Sequence, residues 1–348
     1  MKTYILASAC ISPQQSFTTG RLHDKITGWQ GNRLRAAEPD YSPYIDSKAI
    51  RRMSRIIKMG TAAAMECLQR AAITMPGAIV MGTAYGCLED TGVFLKKMIG
   101  QEEEMLTPTA FIQSTHNTIG AQIALLLQCH HYNNTFVHRG FSFERALQDA
   151  MMLLEENAAA HVLTGAADEI TDASFDILSR FGLYKRQAVS DSSLFSEKSA
   201  GTIAGEGAAF FLLTGHPSPG KPVLEGLHTF YKPVDEAQVL SETRRFLEAQ
   251  HIQPGDIDLL ILGRNGDEES DEIYTQLRQA LFTGTEWITY KQLSGEYPTS
   301  TAFALWLAAE IAKDGHVPHH PDPNFSPRKI LLYNHYENIH HSFMLVTV

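Results

Sequence analysis

The chain is short of the features that would classify it at a glance. Its 348 residues include four cysteines, Cys10, Cys67, Cys87 and Cys129, scattered with no Cys-x-x-Cys pair. That spacing excludes a disulfide framework and reads as buried free thiols in a reducing compartment, so a cytoplasmic location is expected. Positive charge is in deficit: 29 Lys and Arg against 39 Asp and Glu give a formal net charge of −10. Binding nucleic acid requires clustered cations that neutralise phosphate, so that class is set aside. Long apolar runs are missing as well. The most apolar helical candidate, 119–129, falls well short of the ~20 residues that cross a bilayer, and no membrane partner is expected. The apolar N-terminal stretch stops at Ser12-Pro13 and reads as a core strand rather than a signal peptide. The Gly-x-Gly-x-x-Gly spacing of a dinucleotide site does not occur. Histidines gather at 316, 319 and 320 and again at 335, 340 and 341, without the convergent spacing of a metal site.

What is present is material for a large core. The chain is 44% hydrophobic and 20% charged, and its length suits two fused units or one large α/β body. Buried-type apolar runs at 4–9, 78–83, 161–166, 208–213, 259–262, 287–289, 330–333 and 343–348 predict strands. Between them lie segments of helical period, among them one long helix over 50–71, a helical segment ending near Cys129, and helices at 236–250, 271–282 and 300–313. Residues 13–47 are polar and rich in turn formers, which predicts a surface excursion. The linker signal is clearest at Pro217–Pro222 and divides the chain into halves at 1–216 and 217–348. The pattern 79–86 followed by 136–140 finds a counterpart in 259–266 followed by 287–295. That is an internal pseudo-repeat, as for two βαβ units packed together.

One stretch carries more chemistry than the rest. The run 135–138 is extended, the chain turns sharply at Arg139–Gly140, and a helix follows with Phe143, Leu147, Ala150, Met151 and Leu154 on one face. Such an elbow sits at the positive end of a helix, where enzymes place a nucleophile because the site depresses a thiol pKa. Gly140 has no side chain to serve. Ser142 is either a substitute hydroxyl or a residue of the first helical turn, and His138 or a shifted cysteine are the other residues an active enzyme could recruit. Cys87 and Cys129 lie near turns and read as core filling. A stripe of Arg51, Arg52, Arg55 and Lys58 reads as a solvated face or as a dock for an acidic carrier protein.

Five motifs in order then carry a resemblance: Arg51-Arg52-Met53, Gly82-Thr83-Ala84-Tyr85-Gly86, Gly165-Ala166-Ala167-Asp168, Ala204-Gly205-Glu206-Gly207-Ala208, and Lys291 followed by Gly295. Together they resemble the β-ketoacyl-acyl-carrier-protein synthases. The resemblance implies an α/β, thiolase-like fold of two pseudo-repeated βαβ halves in an αβαβα layered arrangement, with no cofactor and no metal. It also places the family's nucleophilic cysteine on Gly140 and its two histidines on Asn265 and Glu296. Lys291 keeps its type as part of a remnant pocket, and the glycine-rich C-terminal loop falls on 334–341, which has no glycine. Claisen condensation needs a thiolate to hold the acyl chain and donors to hold the enolate oxygen, each donor worth ~3–4 kcal/mol.

The resemblance therefore implies a non-condensing subunit of the chain-length-factor type. It would pair with a cysteine-bearing ketosynthase as a heterodimer and serve an acyl carrier protein in type II fatty acid or polyketide (aryl polyene-like) biosynthesis. Two alternatives stay open: an active 3-oxoacyl synthase or acyltransferase using Ser142, and a homodimeric acyl-binding scaffold.

Overall fold

The computed structural model describes residues 2–17, 26–197 and 199–348. Its strands are β1 (Thr3–Ile11), β2 (Gln30–Gly31), β3 (Ala78–Gly82), β4 (Tyr132–Phe136), β5 (Val162–Asp168), β6 (Val189–Ser190), β7 (Gly207–Thr214), β8 (Val223–Tyr231), β9 (Leu259–Leu262), β10 (Glu286–Thr289), β11 (Lys329–Tyr336) and β12 (His340–Thr347). The helices are α1 (Ser47–Ile50), α2 (Arg55–Arg70), α3 (Leu88–Gly100), α4 (Pro108–Gln113), α5 (Thr118–Leu127), α6 (Ser142–Glu155), α7 (Asp172–Arg180), α8 (Glu236–Ala249), α9 (Glu272–Leu281), α10 (Lys291–Ser294) and α11 (Thr301–Asp314).

Ten strands form one sheet in the order β10-β9-β11-β12-β8-β1-β7-β5-β3-β4. From the β1–β8 seam outward, the two runs of five repeat each other strand for strand. β1–β7 and β8–β12 are antiparallel, as are β7–β5 and β12–β11. β5–β3 and β11–β9 are parallel, as are β3–β4 and β9–β10. The seam itself is slight: only Thr3 and Tyr4 of β1 pair with β8. The pseudo-repeat read from the sequence is thus a repeat of topology as well.

Helices sort into three layers around the two runs. α2 and α5 cover the outer face of the first run, burying Ile56, Ile57, Ile119 and Ile123 beside Ile79, Leu163 and Leu212. α8 and α9 cover the outer face of the second, with Phe246, Leu247 and Leu277 against Leu260, Leu331 and Phe343. α6 and α11 lie between the runs, where Phe143, Leu147, Phe303 and Trp306 share one core with Val80, Phe211, Ile261 and Met344. Twelve of the fourteen residues of α11 are buried, as its nearly unbroken apolar sequence requires of a helix covered on all sides. The result is the αβαβα arrangement. Among the described residues no helix is long and apolar enough to cross a membrane.

Four expectations change. The long helix over 50–71 is broken: α1 ends at Ile50, a turn follows, and α2 starts after Ser54, whose backbone is extended. That restart aims Arg55 inward at Glu206. The segment ending near Cys129 is two helices, α4 and α5, parted at residues 114–117. Residues 13–47 are not a mere surface excursion, because Phe17, Leu34, Ala36, Tyr41 and Ile45 are buried in two cores (18–25 lie outside the described residues). Finally, the proline-rich linker opens directly into β8, a strand that periodicity did not single out.

Candidate functional site

Three of the residues picked from the sequence converge. Lys291 opens α10, Glu296 follows its left-handed terminator Gly295, and Asn265 lies just past β9. Lys291 Nζ stands 2.6 Å from Glu296 Oε2 and also donates to His335 O at 3.2 Å. Asn265 Nδ2 donates to the same Glu296 oxygen at 2.8 Å. The Lys291 and Glu296 side chains are only 1% and 2% exposed, so this is an ion pair fully withdrawn from water. Burial pushes the Glu296 carboxyl up, and Lys291 and Asn265 pull it back down. Its other oxygen, Oε1, accepts no hydrogen bond.

Long-range contacts lock this cluster. Gly205 N donates to Glu296 O, and Glu296 N donates to Ile203 O. A side chain at Gly205 would collide with the backbone of Ser294 and Gly295, so the glycines of both motifs permit one close crossing of two chains. Asp271 accepts from the backbone N–H groups of Asn265 and Gly266 and fixes that loop. From the other side, Trp29 Nε1 donates to Gln292 O at 2.7 Å, and Gln14 Nε2 donates to Leu293 O at 3.5 Å. The polar N-terminal segment therefore acts as a clamp on the turn that carries Lys291 and Glu296. No local sequence signal announces this role.

The elbow forms as the sequence predicts, with one refinement. A 3-10 turn at Arg139–Phe141 joins β4 to α6, and the residue in left-handed backbone (φ +47°) is Arg139, one position before Gly140. A non-glycine residue there is strained, the usual condition at the apex of a nucleophile elbow. Neither Arg139 nor Gly140 supplies a thiol or hydroxyl. Gly140 is buried, and a methyl group added to it would lie 2.7 Å from Tyr336 Cβ and 2.9 Å from His340 Cβ. The β11–β12 hairpin, tightened by left-handed Glu337 and Asn338, has thus driven two large side chains into the space beside the elbow. Tyr336 also bonds the Tyr85 hydroxyl at 3.2 Å, closing the same region from the Gly82–Gly86 turn.

The remaining candidates are accounted for. Ser142 is buried, donates to Arg139 O at 2.8 Å and accepts from His138 N at 2.8 Å, a local capping arrangement that holds the elbow. The His138 ring stacks on Phe141, so Ser142 has no imidazole partner in it. All four cysteines are buried, and burial pushes the Cys87 thiol up. Of the basic stripe, Arg55 is not solvent-directed: its guanidinium grips Glu206 through two bonds of 2.7 and 2.6 Å and also pairs with Glu38. Glu206 further accepts from Ala36 N and Ile170 N. The Glu of the Gly-Glu-Gly motif is therefore the hub of a buried network. His335 and His341 are core residues held well below their usual pKa by burial, and no three His, Cys, Asp or Glu among the described residues could hold a metal.

Chemically, the arrangement is closed on itself. The one amide donor that could face an oxyanion is engaged by Glu296, and a developing anion would meet a carboxylate instead of an imidazole.

Comparison with known proteins agrees with the motifs. Residues 28–193 match the family model for the β-ketoacyl synthase N-terminal domain. No curated protein sequence matches the chain. Among solved structures, the ishigamide ketosynthase/chain length factor superposes with a TM-score of 0.79 at 15% identity, covering 100% of this chain and 99% of that one. A ketosynthase in complex with its chain length factor from Xenorhabdus doucetiae gives 0.75 at 15% identity, covering 99% and 98%. A β-ketoacyl synthase from Burkholderia phymatum gives 0.80 at 12% identity, covering 100% and 99%. At such identities the likeness speaks for the fold. Residues 28–193 are thus similar to the β-ketoacyl synthase N-terminal domain, and the chain has the thiolase-like ketosynthase fold.

Proposed function

We propose that this protein is a non-condensing, chain-length-factor-type subunit that pairs with a cysteine-bearing ketosynthase. One observation carries the reading: the elbow lacks a nucleophile, and the space beside it is filled by Tyr336 and His340. The buried Lys291–Glu296–Asn265 cluster supports it, because its donors serve each other and leave none for an enolate. With no room for an acyl chain beside Gly140, the chain's contribution falls on its surface.

That surface has a face suited to a partner. Among the described residues β4 ends the sheet and pairs only with β3, so its outer edge is open to a further strand, with Thr135 N–H turned to the Asn134 side chain. Val137, just past β4, and Leu125 and Met152, on the helices α5 and α6 that pack on it, are exposed, as are Phe111 and Ile112 of α4, and neither α3 nor α4 buries a single residue. An apolar rim beside an open edge is the form of an interface that continues a sheet across two subunits. The corresponding edge of a ketosynthase is the proposed occupant, with an acyl carrier protein delivering intermediates of fatty acid or polyketide type to the pair. Side chains of this rim, Phe111 and Ile112 foremost, would then border the partner's acyl channel and limit product length.

Co-expression with a cysteine-bearing ketosynthase, followed by gel filtration and product analysis, tests this. A one-to-one complex whose product lengthens on Phe111→Ala is expected. Formation of a 3-oxoacyl product by this chain alone would refute the reading.

A further inference from the structure

The stretch that holds α3 and α4 is at odds with its own composition. Apolar side chains recur along it, yet from Thr91 to Gln113 no residue is buried. Ile99 is 76% exposed, Met105 90% and Phe111 57%. Apolar area left open in this way marks a contact surface.

Nothing local makes up for the missing burial. Helices shorter than about 12–15 residues are marginal in water, and most helical stability comes from packing an apolar face. α3 spans 13 residues with Gly92 in its interior, α4 spans 6, and neither has a side-chain hydrogen bond capping its start. The connection between them holds three non-glycine residues in left-handed backbone, Glu102 (φ +50°), Glu103 (φ +66°) and Met105 (φ +50°). It also sets the carboxylates of Glu102, Glu103 and Glu104 side by side. The helices touch through Phe94 and Phe111, whose ring centres are 5.7 Å apart. Firm anchors lie at the base, where Thr91 Oγ1 donates to Ser114 O at 3.1 Å and Gln113 Nε2 donates to Arg52 O.

That base adjoins the open edge of the sheet. Thr118 Oγ1 donates to Ile112 O at 2.7 Å, and Asn133 Nδ2 of β4 donates to Gly120 O at 2.9 Å. Less than one turn of α5 thus separates the contact with α4 from the contact with β4. A subunit that continues the sheet at β4 reaches both helices, whereas the carboxylates of the connection repel an anionic bilayer.

We propose that residues 92–113 form a pairing arm, which opens and closes in the isolated chain and becomes ordered when α3 and α4 lie against the cysteine-bearing ketosynthase. The inference rests on the pairing role above and adds to it a folding step confined to the arm. Apolar area buried on the partner offsets the entropy lost in ordering it.

Hydrogen–deuterium exchange of the full chain, alone and in the co-expressed complex, tests this. Alone, the amides of 92–113 are expected to exchange as fast as those of an unfolded peptide, while the buried strand β5 stays protected. In the complex, exchange across the arm should slow by about tenfold or more, as for a unit that folds on its partner. Ile99→Lys should weaken the complex by about tenfold, the loss of one apolar anchor, and leave the thermal midpoint of the isolated chain unchanged. A complex that forms with the arm still unprotected overturns the arm and leaves the pairing standing; a chain that makes no complex removes both. Protection of the arm in the isolated monomer, in a dimer of this chain alone, or on phosphatidylglycerol vesicles would each overturn the proposal, because the arm then has another cover.

Discussion

At the scale of single residues, the decisive contact is the one Gly140 makes with Tyr336 and His340. Placing a thiol at the elbow by Gly140→Cys puts a side chain where two Cβ atoms already stand within 3 Å. The expected result is a loss of about 1–3 kcal/mol, as for overpacking elsewhere, and no gain of condensing activity. Urea denaturation checks the first part, and Tyr336→Ala in the same chain should return some of the stability. The Lys291–Glu296 pair gives a sharper measurement. Lys291→Met leaves a buried carboxylate without its cation and should cost about 3–5 kcal/mol, whereas the double change Lys291→Met with Glu296→Leu should recover most of it. A double-mutant cycle in urea reads the difference. Asn265, Lys291 and Glu296 were legible in the sequence because each sits in a turn with its own local signature. Tyr336 and His340 were not. The volume they fill belongs to a helix start far upstream, and only packing brings the two together.

The elements themselves were legible where burial was complete. β3, β5, β7 and β9 are apolar runs with every residue buried, and the sequence places each within two residues. β8 escaped notice because Glu225, Gly226 and His228 interrupt its apolar pattern, and most of its residues are only half buried. α3 escaped for a related reason: it buries nothing within this chain, so its apolar residues mark no face that a lone sequence can interpret. The break before α2 was hidden as well, since helical spacing continues through Met53 even though the backbone does not. That break lets Arg55 satisfy Glu206, itself fully buried. Arg55→Met should accordingly cost about 3–5 kcal/mol in chemical denaturation. Arg51→Ala, an exposed neighbour in the same basic stripe, should stay within about 0.5 kcal/mol.

Over the whole molecule, a layer of helix between the two five-strand runs of the sheet encloses titratable groups that answer to pH. Glu144, in the first turn of α6, is buried with Ser342 donating to one oxygen and nothing donating to the other. Burial raises its pKa from 4.5 to about 7. The neutral form is therefore the one the fold prefers. Its contribution is intact below pH 4.5 and is lost as pH rises through 7, by about 3 kcal/mol on simple linkage. His341 works in the opposite sense, lowered by burial from 6.5 to about 4, so its contribution is intact above pH 6.5 and lost as pH falls through 4. Urea titrations at pH 4.5 and 8 should show Glu144→Gln gaining on the parent protein only at the higher pH. The open edge at β4 belongs to this scale too. Val137→Lys beside it should abolish the proposed complex with a ketosynthase, read by gel filtration, while leaving the thermal midpoint of the isolated chain nearly unchanged, because Val137 is already 47% exposed.

The hairpin tip pressed against the elbow bears on the history of the chain. An enzyme that loses its nucleophile to a single codon change can regain it by another, and drift in both directions stays open. In the non-condensing reading proposed above, the vacated position is built over by side chains from a distant segment, so a thiol introduced at Gly140 meets a wall and is selected against on folding grounds alone. On that reading, recovery demands coordinated change at both ends of the fold, which makes such a loss a ratchet.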